Sequence, residues 1–167
     1  DITKEAGTGK GSLYLHFDSK EAVYLAVIEA SLERFVERAT AALRAEGTVP
    51  RRLTALVGAT AEHYGEDELL RASLLGESHL VGGRPAQLAA DIQRGRIRGL
   101  LADILEEGRA DGSVRADVDS DTTAAVLFEM GWGVVRAGIE GVSGVPLDVT
   151  LAALNDIVGR GIRAGRG

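Results

Sequence analysis

Apolar residues in this chain return every three or four positions, and nowhere do they alternate with polar residues for long enough to make a strand. Leu25, Ile28, Leu32, Phe35, Ala39 and Leu43 form one such stripe. Leu53, Leu56, Val57 and Thr60 form a second, and Leu88, Ile92, Ile97, Leu101, Ile104 and Leu105 a third. Leu147, Leu151, Leu154, Val158 and Ile162 form the last. Three-and-four spacing lines up one face of an α-helix, and helices with one apolar face must pack on other helices. Glycine and proline punctuate the stripes at Gly47-Thr-Val-Pro50, Val81-Gly-Gly-Arg-Pro85 and Gly144-Val-Pro146. The spacing predicts an all-α chain, with helices over about 19–45, up to about 64, from 65 to about 78, 85–110, 120–142 and 147–163. Asp18 or Ser19 is placed to cap the first of these, with Glu21 positioned to complete a capping box from Asp18. Asp119 is placed to cap the fifth.

The first 21 residues have a different design. Ile2 and Ala6 share one face of a short helix, and Gly7 suits the left-handed residue that ends it. A second short helix follows over about 10–16, with Leu13 and Phe17 as its inward pair. Two short helices around a tight turn make a helix-turn-helix, which places its second helix in the DNA major groove. The wording Ile2, Ala6-Gly7, Gly11, Leu13-Tyr14, His16-Phe17 and Ser19-Lys20-Glu21 resembles the DNA-reading end of the TetR (tetracycline-repressor-like) family of bacterial transcription regulators. Thr8 stands where that family usually has Val, and Gly9 where Ser is common. The connector over 107–119, rich in Gly and Asp, is similar to the stretch that many members place before their last two helices.

That resemblance implies an N-terminal helix-turn-helix followed by an antiparallel helical domain for ligand binding and dimerisation. It also implies one more helix, and a basic extension, ahead of Asp1; the head as read here lacks that first helix. Residues 1–24 are expected to read DNA and residues 25–167 to hold an effector and the dimer interface. The family's recognition positions map onto Lys10, Gly11, Ser12, Tyr14, His16 and Lys20. Lys10 and Ser12 lie where side chains reach base edges, Tyr14, His16 and Lys20 where they reach phosphates, and Gly11 permits close approach. The last two helices, about 120–142 and 147–163, would pair with their copies across a twofold axis. The partners so implied are double-stranded operator DNA, an unknown small-molecule effector and a second copy of the chain.

Composition limits the rest. A net charge of −6 argues against wholesale coating of nucleic acid, and the head itself sets Lys4, Lys10 and Lys20 against Asp1, Glu5, Asp18 and Glu21. There is no cysteine, so disulfides and thiolate metal sites are excluded and a cytoplasmic setting is compatible. No run approaches the ~20 apolar residues of a membrane helix.

Catalytic patterns do not assemble. Gly7-Thr-Gly-Lys-Gly-Ser12 is not a phosphate loop, because Gly11 follows Lys10 and no strand precedes it. Gly76-Glu-Ser-His-Leu80 lacks the last glycine of a hydrolase elbow. His16, His63 and His79 show no paired metal spacing, so no metal or cofactor is expected. The most suggestive regulatory stretch is 127–135, which holds the only Trp and the only Met. Phe128 and Trp132 sit four apart and could wall an apolar pocket, while Gly131 and Gly133 each cost ~1 kcal/mol against Ala inside a helix. Either a neighbouring helix approaches there or space is left for a ligand. The candidate effector residues are His63, Glu77, Phe128, Glu129 and Trp132. The competing expectation is a helical dimeric interaction module without DNA binding.

Overall fold

The computed structural model describes residues 17–45, 47–74 and 84–164. The expected helix-turn-helix, Lys10, Gly11, Ser12, Tyr14, His16 and Glu77 lie outside them. Among the described residues there are six helices: α1 (Lys20–Arg44), α2 (Val49–Glu66), α3 (Glu68–Leu74), α4 (Arg84–Ala110), α5 (Ser120–Glu140) and α6 (Leu147–Ile162). The only strand-like pairing among them is one isolated antiparallel bridge between Val114 and Arg163. None of these helices is long and apolar enough to cross a membrane.

Local chemistry sets the ends. Of the two candidate caps for α1, Ser19 is the one used: its hydroxyl accepts the Ala22 N–H at 3.1 Å. Asp119 caps α5 through the Thr122 N–H at 2.8 Å, as its position predicts. Gly141 closes α5 with φ of 68°, two residues earlier than the sequence suggests, and leaves Val142 exposed. The break expected at Gly65 falls instead at Asp67. The Asp67 N–H still donates to His63 O, so Gly65 stays inside α2. The Asp67 carboxylate then accepts the Leu70 N–H at 3.0 Å and starts α3.

The apolar stripes meet in two clusters. The larger brings Phe35, Ala39 and Leu43 of α1 against Leu53 of α2 and Leu101 and Leu105 of α4. The smaller joins Tyr24, Ile28 and Leu32 of α1 to Tyr64 and Leu70. Each fully buried Leu or Ile contributes ~1.5–3 kcal/mol. One expected member is displaced. Ile92 is exposed and Gln93 is buried in its place. The four-residue steps Gln93, Ile97, Leu101 and Leu105 run straight down one face, and Ile92 is turned about 100° from it. Gly108 is where α4 meets its neighbours most closely: a Cβ there would lie 2.5 Å from Val114 Cγ2 and 2.9 Å from Val49 Cγ2.

Candidate ligand cavity and its link to the first long helix

Between α2, α5 and α6 the packing opens into a small apolar cavity, continuous with solvent. Leu56 and Thr60 of α2, Phe128 and Trp132 of α5, and Leu154 and Asn155 of α6 contribute to its wall. A second chamber of similar size lies alongside, towards α1 and the start of α4. The two chambers share Phe35, Ile97, Phe128 and Trp132. Phe128 and Trp132 sit on the wall together, as their spacing predicts. Gly131 also faces the cavity, with Val57 3.6 Å from where its Cβ would be, which is ordinary contact. Gly133 is exposed and meets nothing within 4 Å. Of the two accounts of that glycine pair, neither close approach nor ligand space applies at Gly133.

The other candidates are placed differently. Glu129 is exposed on α5 and faces Arg94 of α4 at 3.4 Å, away from the cavity wall. The Arg94 guanidinium also stands 5.7 Å from the Phe128 ring centre, over one edge of the second chamber. Lys20 is exposed as the first residue of α1. His63 is buried behind the wall. Its ring stacks on Phe35 at 5.5 Å, and Tyr64 carries the contact on to Trp132 at 5.1 Å. An unbroken file of rings therefore runs from α1 through α2 to α5.

Behind that file lies a polar group that the periodicity of the sequence did not single out. Ser31 of α1 is fully buried. Its hydroxyl donates to Asp67 Oδ2 and lies 3.3 Å from His63 Nε2. A hydroxyl has one hydrogen, and Asp67 receives it, so His63 Nε2 is the donor in the other contact. Arg34 approaches Asp67 at 3.5 Å, and Arg38 bonds Glu66 at 2.9 Å. Burial lowers the His63 pKa, and the Arg38 charge adds to that; Asp67 and the Ser31 backbone push the other way without prevailing. Burial pulls Asp67 upward, but the hydrogen bonds from Ser31 and the Leu70 N–H, with the charges of His63 and Arg34, hold its carboxyl below the usual range. Burial, helped by Asp67, raises the Tyr64 phenol and keeps it neutral. Ser31, His63 and Asp67 are the residue types of a hydrolase triad, yet the hydroxyl donates to Asp67 and is sealed from solvent. It is a strut between α1 and the end of α2. Its sequence signal is a serine on the buried face of α1, three residues after Ile28 and four before Phe35.

Polar atoms on the cavity wall are few. The Thr60 hydroxyl donates to Leu56 O at 2.8 Å, and the Thr54 hydroxyl, at the mouth, to Pro50 O at 2.9 Å. Asn155 Oδ1 and Gln93 Oε1 are buried without a hydrogen-bond partner. Among the described residues, no group of three or more His, Cys, Asp or Glu could hold a metal ion.

Comparison with known proteins gives a consistent pattern. Residues 1–27 match the family model described as "Bacterial regulatory proteins, tetR family". The chain is 30% identical over 140 residues to the HTH-type transcriptional repressor KstR2 of Rhodococcus jostii, covering 81% of this chain and 67% of that protein. It is 30% identical over 136 residues to KstR2 of Mycolicibacterium smegmatis, covering 81% and 66%. The chain thus spans about two thirds of the length of these relatives. The crystal structure of reduced Escherichia coli NemR superposes with a TM-score of 0.73 at 27% identity, over 99% of this chain and 86% of that one.

Proposed function

Since this chain belongs to the TetR family of bacterial regulatory proteins, we propose that it is a ligand-responsive transcriptional repressor, released from operator DNA by a small molecule held in the cavity. The observation that carries this reading is a continuity. Residues 1–27, which match the family's DNA-reading segment, run directly into α1, and α1 supplies Phe35 to both chambers and Ser31 to the strut on α2. A ligand against Phe128 and Trp132 therefore bears, through the file of rings, on the helix that carries the head. The ligand favours one placement of the heads and DNA another; the difference in affinity is the coupling energy, typically 1–3 kcal/mol. Lys10, Gly11, Ser12, Tyr14, His16 and Lys20 are the proposed DNA contacts. No catalytic role is assigned to any residue, and a role on DNA places the protein in the cytoplasm.

The second half of the reading is a homodimer through α5 and α6. Val126, Met130, Val149 and Ile157 are exposed apolar side chains on these two helices. A second copy would cover them and would set two heads about one turn of DNA apart. Ile157, 64% exposed, is the position to perturb. Ile157→Glu is expected to yield a monomer by sedimentation and to lose DNA affinity with it.

Fluorescence anisotropy with duplex DNA from the region flanking the gene tests the whole. Binding at 50 mM salt is expected to weaken steeply by 200 mM, as release of counterions from phosphates requires. A dimer that ignores this DNA at low salt would favour the interaction-module reading instead.

A further inference from the structure

Charge is spread unevenly over the two chambers. Resting on the reading of the cavity as an effector site, we propose that the effector is a small monoanion of the arylcarboxylate class, its ring held by the aromatic wall that the chambers share and its carboxylate held by Arg94. The first chamber has no charged side chain on its wall. A charged group placed wholly inside it would lose its water without gaining a counter-charge. On the wall of the second chamber, Arg94 is the one charged side chain among the described residues. Tyr64 lines the same wall, but burial keeps its phenol neutral. Glu33, which accepts from the Gln93 amide, is already paired with Arg96 at 2.7 Å. Arg94 has donors to spare. Its guanidinium carries five N–H groups, and its contact with Glu129 is long, 3.4 Å, between side chains 43% and 57% exposed. So exposed a pair is weakly held, and a ligand carboxylate that meets the guanidinium in a two-pronged contact displaces it. The ring has a matching place. Phe35, Tyr64, Phe128 and Trp132 line the second chamber together, and an aromatic ring among them gains edge-to-face or offset contacts. The guanidinium stands 5.7 Å from the Phe128 ring centre, so a ligand ring against Phe128 brings a carboxylate close to Arg94. An ammonium in that position would meet a like charge. The net charge of −6 works against anions in general, so a preference for one has to arise locally.

Trp132, the only tryptophan, lines both chambers and reports occupancy by its emission. The 167-residue chain is titrated with phenylacetate, phenylacetamide and phenethylammonium, which share a ring and differ in charge. Phenylacetate is expected to bind about tenfold more tightly than the amide, and the ammonium more weakly than the amide. Arg94→Gln is expected to abolish the advantage of the anion while leaving amide affinity in place. Glu129→Gln frees the guanidinium and is expected to tighten phenylacetate about threefold with the amide unchanged. Both positions are exposed, and far-UV circular dichroism confirms that both variants fold. Equal binding of anion and amide, tighter binding of the ammonium, an advantage that survives Arg94→Gln, or a phenylacetate affinity unmoved by Glu129→Gln overturns the proposal and leaves the effector cavity standing. If no probe moves Trp132 emission, the cavity reading falls and the proposal falls with it.

Discussion

Replacing Ser31 by Ala removes one oxygen from the interior and tests the strut between α1 and α2. Two contacts converge on that oxygen, the donation to Asp67 Oδ2 and the approach of His63 Nε2 at 3.3 Å. Their loss is unequal. His63 is 4% exposed, and its Nε2–H would be left buried with no acceptor, which costs ~1–3 kcal/mol. Asp67 keeps the Leu70 N–H at 3.0 Å and Arg34 at 3.5 Å, so its loss falls nearer the ~0.5–1.5 kcal/mol of an ordinary hydrogen bond. The sum is about 1.5–4.5 kcal/mol, or roughly 3–18 °C in Tm for a domain of this size. Urea unfolding at pH 7 reads the first figure directly. A double-mutant cycle with Asp67→Asn isolates the shared part, expected to be at least about 1 kcal/mol because the two groups touch. A Ser31→Ala protein within about 0.5 kcal/mol of wild type, or additive effects in the cycle, would refute the strut.

Acid should weaken the fold in two steps. Because burial lowers the His63 pKa below 6.5, the unfolded chain binds the proton first; stability is complete above that pH and declines as pH falls below it, and His63→Phe should flatten this limb of a urea-midpoint titration. Asp67, held below 3.8 by its hydrogen bonds despite burial, adds a further loss as pH falls under that value. Gly108→Ala would force a Cβ to 2.5 Å from Val114 Cγ2 and should destabilise by ~1–3 kcal/mol in thermal melts; a neutral result would contradict the close approach. Trp132→Ala should weaken the effector response in a gel shift while DNA affinity without effector stays unchanged, and an equal response in both proteins counts against its place on the wall.

The sequence carries helices well and side-chain partners poorly. The stripes Phe35, Ala39, Leu43 and Ile97, Leu101, Leu105 are legible because burial has a period, and period survives in one dimension. Asp119 and Ser19 are legible because capping is local. Phe128 and Trp132 are placed together by simple i, i+4 geometry. What escapes is contact between helices distant in sequence. Ser31 and Asp67 are 36 residues apart, and Gln93 finds Glu33 across 60. Nothing in a periodic pattern tells a serine on the buried face that an aspartate will meet it. The same blindness explains Ile92. Hydropathy assigns it to the core, but the register of α4 is decided by which residues α1 accepts, and α1 accepts Gln93. Asn155 also passes unnoticed, as one amide in an apolar stripe, until the wall it belongs to exists.

The isolated bridge between Val114 and Arg163 fixes one end of the outer wall of the cavity. Arg115 N–H bonds Ile162 O at 2.9 Å and Ala164 N–H bonds Ser113 O at 3.2 Å, which stitches the exit of α6 to the connector before α5. Just before that stitch Ile162 is buried, and Gly159 lets the helix come to rest against Pro50. At the opposite end of α6, Leu147 is seated on Gly138, with Val145 and Val149 exposed around it. By these contacts the exit of α6 is expected to resist opening more than its start, a difference that amide hydrogen exchange along the helix would read.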